Sequence, residues 1–254
     1  MALELLRKVV HEAPSPFGPV FVVDEGDERS LRFGHPDGVR QSVILKGNPL
    51  AVPMGYLRVA TAGLAFTEGR SRALVVGLGG GSFPLLLCRC LPRLAVDVVE
   101  LNPVVVDVAQ RFFGVREDER LRIHVDDGAH FMRREGPRYD LLFLDAFSEE
   151  GTPGHLKAPA FFEEVLRRLA PGGVAVCNIA LGGAVSKARL VETFTQAFPH
   201  CARLGGSAES ANVLAVGARE PMPSEPVFRQ RLWKLARELR FPELPRSVES
   251  FARL

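Results

Sequence analysis

The chain has 254 residues, 46% of them hydrophobic and 24% charged, a composition that suits one large soluble domain or one domain with a small appendage. A formal net charge of +2 and a pI near 8.4 are too mild to point to nucleic acid or an anionic membrane as partner. The four cysteines, Cys88, Cys90, Cys177 and Cys201, have neither zinc-ligand nor redox spacing, so no metal site is expected and they read as free thiols of a cytoplasmic protein.

In chain order, "MALELLRKVVHEAP" breaks its apolar residues with Glu4, Arg7, Lys8 and Glu12, too many charges for a signal peptide or a membrane span, and reads as a short amphipathic helix. Residues 19–45 alternate short β-rich runs with turn clusters at 25–27 and 35–38, the pattern of a small antiparallel unit of two hairpins. A loop follows, leading into a helix over about residues 55–65. After Arg70 strands alternate with helices: "ALVVG", a helix from Ser82, "AVDVVE", a helix from Pro103, "RLRIHV", a short helix from Ala129, "YDLLFLD", a helix from Pro159, "GVAVCNI" and a helix from Ser186. Alternation of this kind predicts parallel strands with right-handed crossovers, and uninterrupted apolar runs fit strands buried on both faces. "CARLGGSAESANVLAVGA" reads as an antiparallel hairpin closing the sheet edge, and "RQRLWKLARELR" as a proline-bounded amphipathic helix with a solvated basic face. The expected fold is α/β and Rossmann-like, with a seven-stranded, mostly parallel sheet. Its divisions are a β-hairpin unit with a connecting helix (1–68), a ligand-binding α/β domain (69–220) and a helical tail (221–254).

The stretch "ALVVGLGGGSFP" carries the first chemical signal. Gly77, Gly79, Gly80 and Gly81 end a buried strand, and Ser82, as N-cap, with Pro84 opens a helix; a tight turn explains one or two of these glycines, close approach of a ligand explains four. Glu100 ends the next strand about twenty residues on, where a carboxylate can accept both ribose hydroxyl protons, and Leu101 follows it. A dinucleotide fingerprint wants Gly or Ala where this chain has Ser82, and the Gly-x-Gly-x-Gly form instead suits the class I fold that binds S-adenosylmethionine. In "HVDDGAHF", Asp127 with Gly128 is placed against the adenine amine, and Asp126 is read as the cap of the following helix. Asp145 ends the fourth parallel strand, where open α/β sheets hold their ligands, and its apolar neighbours would raise its pKa as a general base for an amine requires. His155, in the loop "TPGHLKAP", is a candidate for substrate contact, whereas His124 inside a strand reads as structural.

The ordered set "VVGLGGGSFP…DVVELNPVVVDVAQRFFG…IHVDDGAHF…YDLLFLDAF…GHL…FFEEVLRRLAPGGVAV" resembles the spermidine synthase family over residues 38–217. The resemblance implies a small N-terminal β domain, a class I S-adenosylmethionine-type fold and a dimer. It also implies cofactor-site roles for Gln41 (in "DGVRQS"), Glu100 and Asp127, a substrate-site role for Tyr56, and for Asp145 the role of deprotonating or orienting the attacking amine. Three departures bear on the cofactor and the acceptor. The family's loop aspartate, which holds the free ammonium of decarboxylated S-adenosylmethionine, is here Gly80. The second acid of its Asp-x-x-Asp is Ser148, with Glu149 and Glu150 beyond it, and the acid two residues after the tyrosine is Arg58. A dicationic polyamine would want those carboxylates, and an acid in the loop would repel the carboxylate of the intact cofactor. The expectation is therefore an S-adenosylmethionine-dependent methyltransferase acting on a small-molecule or protein amine, like the lysine methyltransferases that share the "GLGGGS" loop. The alternatives are an aminopropyltransferase using decarboxylated S-adenosylmethionine and a non-catalytic nucleoside-binding protein.

Overall fold

The computed structural model describes residues 7–48, 54–146, 153–179, 184–205, 213–248 and 250–253. Four strands, β1 (Arg7–Ala13), β2 (Val20–Glu25), β3 (Glu28–Phe33) and β4 (Arg40–Leu45), form an antiparallel sheet in chain order. The first differs from the helix expected of the N-terminal segment. Residues 7–13 pair with β2 from Arg7↔Glu25 to Ala13↔Val20, with an irregularity at Val10, because an open sheet edge offers the segment a ladder that outweighs a weak helical periodicity. The register slips between Leu31 and Arg32, which pair with Ser42 and Arg40, so Gln41 is the extra residue of a β-bulge.

Helix α1 (Gly55–Thr61) runs into a 3-10 turn (Ala62–Ala65), as the pattern predicted, and delivers the chain to the main sheet. There the chain follows β5 (Arg72–Val76), α2 (Ser82–Cys90), β6 (Ala95–Glu100), α3 (Pro103–Phe112), β7 (Leu121–Val125), α4 (Gly128–Arg133), β8 (Tyr139–Leu144), a 3-10 turn (Gly154–Lys157), α5 (Pro159–Arg167) and β9 (Leu169–Ile179). It closes with α6 (Ala184–Ala197), β10 (His200–Gly205), β11 (Val213–Ala218), α7 (Glu225–Glu238), α8 (Leu244–Ser247) and β12 (Ser250–Arg253). The strand order is β12-β10-β11-β9-β8-β5-β6-β7, parallel from β9 to β7 and antiparallel at the other end. This is the expected Rossmann-like sheet with its terminal hairpin, plus an eighth strand. Residues 250–253 pair with β10 outside the hairpin, and Phe251 stacks on Phe66 and Phe228. The tail is thus bound to the sheet by aromatic burial that a helical pattern alone did not reveal.

The parallel strands pack apolar residues on both faces: Val75, Val98, Leu141 and Phe143 face one core cluster, Leu74, Val99, Leu142 and Leu144 the other. The chain leaves β5 toward β6 and β7 on one side and returns to β8 and β9 on the other. The gap this creates lies at the carboxyl ends of β5 and β8, the switch point where such sheets bind ligands. Away from it, Asp97 accepts hydrogen bonds from the Tyr139 hydroxyl at 3.2 Å and lies 3.1 Å from His124 Nε2, a packing role for that histidine. None of the four cysteines forms a disulfide. Among the described residues no helix is long and apolar enough to cross a membrane, and no group of three or more His, Cys, Asp or Glu could hold a metal.

Candidate functional site

The switch point opens into a cavity of about 310 Å³. Its floor is the glycine loop. Gly77 adopts φ +101°, and a Cβ there would lie 2.5 Å from the Asp145 carbonyl oxygen, so only glycine lets β5 and β8 close on each other. Two backbone bonds lock this crossing, Gly77 N–H to Val99 O at 2.8 Å and Asp145 N–H to Val76 O at 2.9 Å. Gly79, also left-handed, lies in the cavity wall.

Gly80 and Gly81 do not line the cavity. Gly81 is the left-handed N-cap of α2, and a Cβ there would strike the Val115 side chain. At Gly80 a Cβ would lie 2.7 Å from both the Phe113 ring and Ser42 Oγ. At both positions the absence of a side chain lets the loop turn and pack against its neighbours. Ser82 is likewise not the cap: the helix begins at Ser82 itself, and its hydroxyl is buried in the cavity wall without a hydrogen-bond partner.

Glu100, at the end of β6, anchors the loop. One oxygen accepts the Leu78 N–H at 2.8 Å and the other the Asn102 N–H at 2.9 Å. Burial raises its pKa, opposed by the backbone N–H groups of Asn102, Leu78, Gly79 and Leu101. Both oxygens are thus tied to the loop backbone at the cavity wall. Leu101 is 41% exposed at the same wall.

Asp127 and Gly128 are in the wall, and so is Asp126. The cap falls to Asp127 rather than to Asp126, because α4 begins at Gly128 and Asp127 is the residue immediately before it. Asp127 Oδ1 accepts the His130 N–H at 2.9 Å, whereas Asp126 pairs with His130 and Arg134. The second Asp127 oxygen contacts His155 Nε2 at 2.7 Å, which places His155 in the wall as a partner of Asp127. Burial pushes Asp127 upward, but the His130 N–H and the His155 pair outweigh it, and the carboxyl sits below its ordinary value.

Asp145 sits where two side-chain donors converge. Its Oδ2 accepts the Tyr56 hydroxyl at 3.0 Å and its Oδ1 accepts Asn178 Nδ2 at 2.8 Å. Burial drives its pKa up to about 7, against the lowering pull of Asn178 and Tyr56. Tyr56 is itself pushed well above its ordinary value by burial and by the Asp145 charge, so it serves as a neutral donor. The Tyr56→Phe variant loses a bond that favours the ionised carboxylate. Its low-pH limb of activity should move upward from about pH 7, and a limb that stays in place would disprove the coupling. Gln41, projected at the bulge, also lines the cavity, while Ser148, Glu149 and Glu150 lie outside the described residues.

Asn178 was not picked out from the sequence. The signal was there in "VAVCNI", a lone amide closing an apolar strand that ends beside β8.

With this geometry in place, comparison with known proteins is specific. The Spermine/spermidine synthase domain model matches residues 58–196. A polyamine aminopropyltransferase of Vibrio vulnificus is 30% identical over 240 residues, covering 91% of this chain and 79% of that protein. The chain belongs to the spermine/spermidine synthase family. Among solved structures, a probable spermidine synthase from Corynebacterium glutamicum shares the fold at a TM-score of 0.74 and 21% identity, over 89% of this chain and 88% of that one. Human Methyltransferase-like protein 13, solved in complex with SAH, superimposes at a TM-score of 0.63 and 25% identity, over 73% and 89%. The spermine/spermidine synthase family fold is thus common to proteins named for aminopropyl transfer and for methyl transfer.

Proposed function

We propose that this family member is an S-adenosylmethionine-dependent methyltransferase whose acceptor is an amine. The observation that carries the reading is Gly80. The position that the family's resemblance assigns to an ammonium-binding aspartate has no room for a side chain, because Phe113 and Ser42 occupy it. A cofactor without its carboxylate would find no counter-charge there. The intact cofactor has what it needs nearby: the unpartnered Ser82 hydroxyl and the first-turn N–H groups of α2, which no intrahelical carbonyl can take. The SAH complex of the human relative supports the same choice.

The residues present fit such a cofactor. Cavity volume is within the range of small-molecule sites, and Gly77 and Gly128 let its walls pack closely, on Asp145 and on Val76. Glu100 offers its carboxylate to the ribose hydroxyls, and Asp127 offers an acceptor to the adenine amine. When bound, the cofactor supplies an electrophilic methyl carbon on a sulfonium. Asp145, held by Tyr56 and Asn178, takes a proton from the amine and orients it for in-line attack.

Equal concentrations of S-adenosylmethionine, S-adenosylhomocysteine, decarboxylated S-adenosylmethionine, methylthioadenosine and NADH should separate the readings by thermal shift, since ligands raise Tm according to affinity. The first two should give the largest rises. Larger rises with the decarboxylated compound would replace methyl by aminopropyl transfer, the second reading, which the identity to the Vibrio aminopropyltransferase favours. No shift with any of them would leave a non-catalytic fold.

A further inference from the structure

Asn178 closes β9 beside Asp145 and is 3% exposed. Its Nδ2 donates to Asp145 Oδ1, and its own Oδ1 is buried with no hydrogen-bond partner. When Asp145 is ionised its carboxylate only accepts, so the amide nitrogen faces Asp145 and the carbonyl faces elsewhere. The side chain lines the same cavity as Asp145 and Tyr56. A buried amide carbonyl left unpaired is a costly arrangement in a folded protein, and it is retained where a ligand supplies the missing donor.

Resting on the methyltransferase reading, we propose that Asn178 is a positioning residue that accepts one N–H of a primary amine while Asp145 holds the other, and that it thereby limits transfer to the first methyl group. The ammonium gives one proton to Asp145. The freed lone pair forms the C–N bond as the C–S bond breaks; the C–S electron pair stays on sulfur, leaving a neutral thioether and a secondary ammonium. At the moment of attack a primary amine has two N–H groups for two buried acceptors. A secondary amine has one, so either Asp145 or Asn178 goes unpaired, and a tertiary amine has none. Sites built to receive a substrate N–H discriminate strongly against analogues that lack it.

The test uses the full-length protein with S-adenosylmethionine and two probes, butylamine and N-methylbutylamine, with S-adenosylhomocysteine affinity measured alongside. Wild type should favour butylamine by roughly tenfold or more in kcat/KM, since one buried acceptor is left unpaired by the secondary amine. Asn178→Leu should bring the two amines to similar rates with S-adenosylhomocysteine affinity unchanged. Asn178→Asp, which keeps an acceptor oxygen, should keep the preference, with its low-pH limb moved upward by the second carboxylate beside Asp145. Equal use of both amines by wild type, or a preference undiminished in Asn178→Leu, would overturn the proposal. So would turnover of neither amine by a protein that binds S-adenosylhomocysteine. Absence of S-adenosylhomocysteine binding would instead bring down the methyltransferase reading itself.

Discussion

Asp145→Asn should lower methyl transfer by roughly 10²- to 10⁴-fold, the usual contribution of a positioned general base, while leaving S-adenosylhomocysteine affinity nearly unchanged. Wild-type activity should fall about tenfold per unit below pH 7, because the ionised carboxylate is the working form and its pKa lies at about 7. Stability carries the opposite sign. The unfolded chain loses this proton near the ordinary value of 3.8, whereas the folded protein keeps it up to about 7. Between those values the folded state binds more protons, so stability declines with rising pH, and the loss is complete above about 7. Asparagine does not titrate. The variant's Tm should therefore exceed that of wild type at pH 8, and the difference should shrink as pH falls toward 4. A variant that is inactive but less stable at pH 8 would show that Asp145 is a structural partner of Tyr56 and Asn178, not a buried base.

Glu100→Ala should abolish the thermal shift given by S-adenosylhomocysteine. The carboxylate is asked to do two things, hold the Leu78 and Asn102 N–H groups and accept the ribose hydroxyls. Hydrogen bonds to a charged group contribute about 1.5–3 kcal/mol each, so losing two from the ligand should weaken binding by at least 10²-fold. Loop disorder adds to that loss. Glu100→Gln separates the roles, because its amide oxygen can keep one loop N–H while its NH₂ cannot accept. It should retain a fold close to wild type and lose most of the affinity. An unchanged shift in both variants would refute the ribose assignment.

Much of the site was legible because its residues sit at strand ends. Glu100, Asp127 and Asp145 each stand at or just beyond the carboxyl end of a parallel strand, and a carboxylate in that place has few explanations other than a ligand or a cap. The same logic found the glycine turn, the alternation of strands and helices, and the family. It was weaker within the turn. Four consecutive positions of small side chain do not say why each is small, and only the packing of Phe113 and Ser42 at Gly80, and of Val115 at Gly81, shows where a Cβ would have no room. Similarly, either Asp126 or Asp127 could cap the next helix; the one-residue register of α4 decided it.

The amino-acid sequence by itself determined the parallel sheet, its switch point and the acids at the strand ends, because these follow from periodicity and from short-range turn chemistry. Tertiary structure alone decided that residues 7–13 form an edge strand, that residues 250–253 complete the sheet, and that Asn178 meets Asp145. Those three depend on partners elsewhere in the chain, such as Glu25 for Arg7 and Leu204 for Phe251. Side-chain identity has no local signature for a partner that distant. Asn178 is the sharpest case, since its neighbours in sequence are apolar and its chemistry exists only where β8 and β9 end side by side, 33 residues apart.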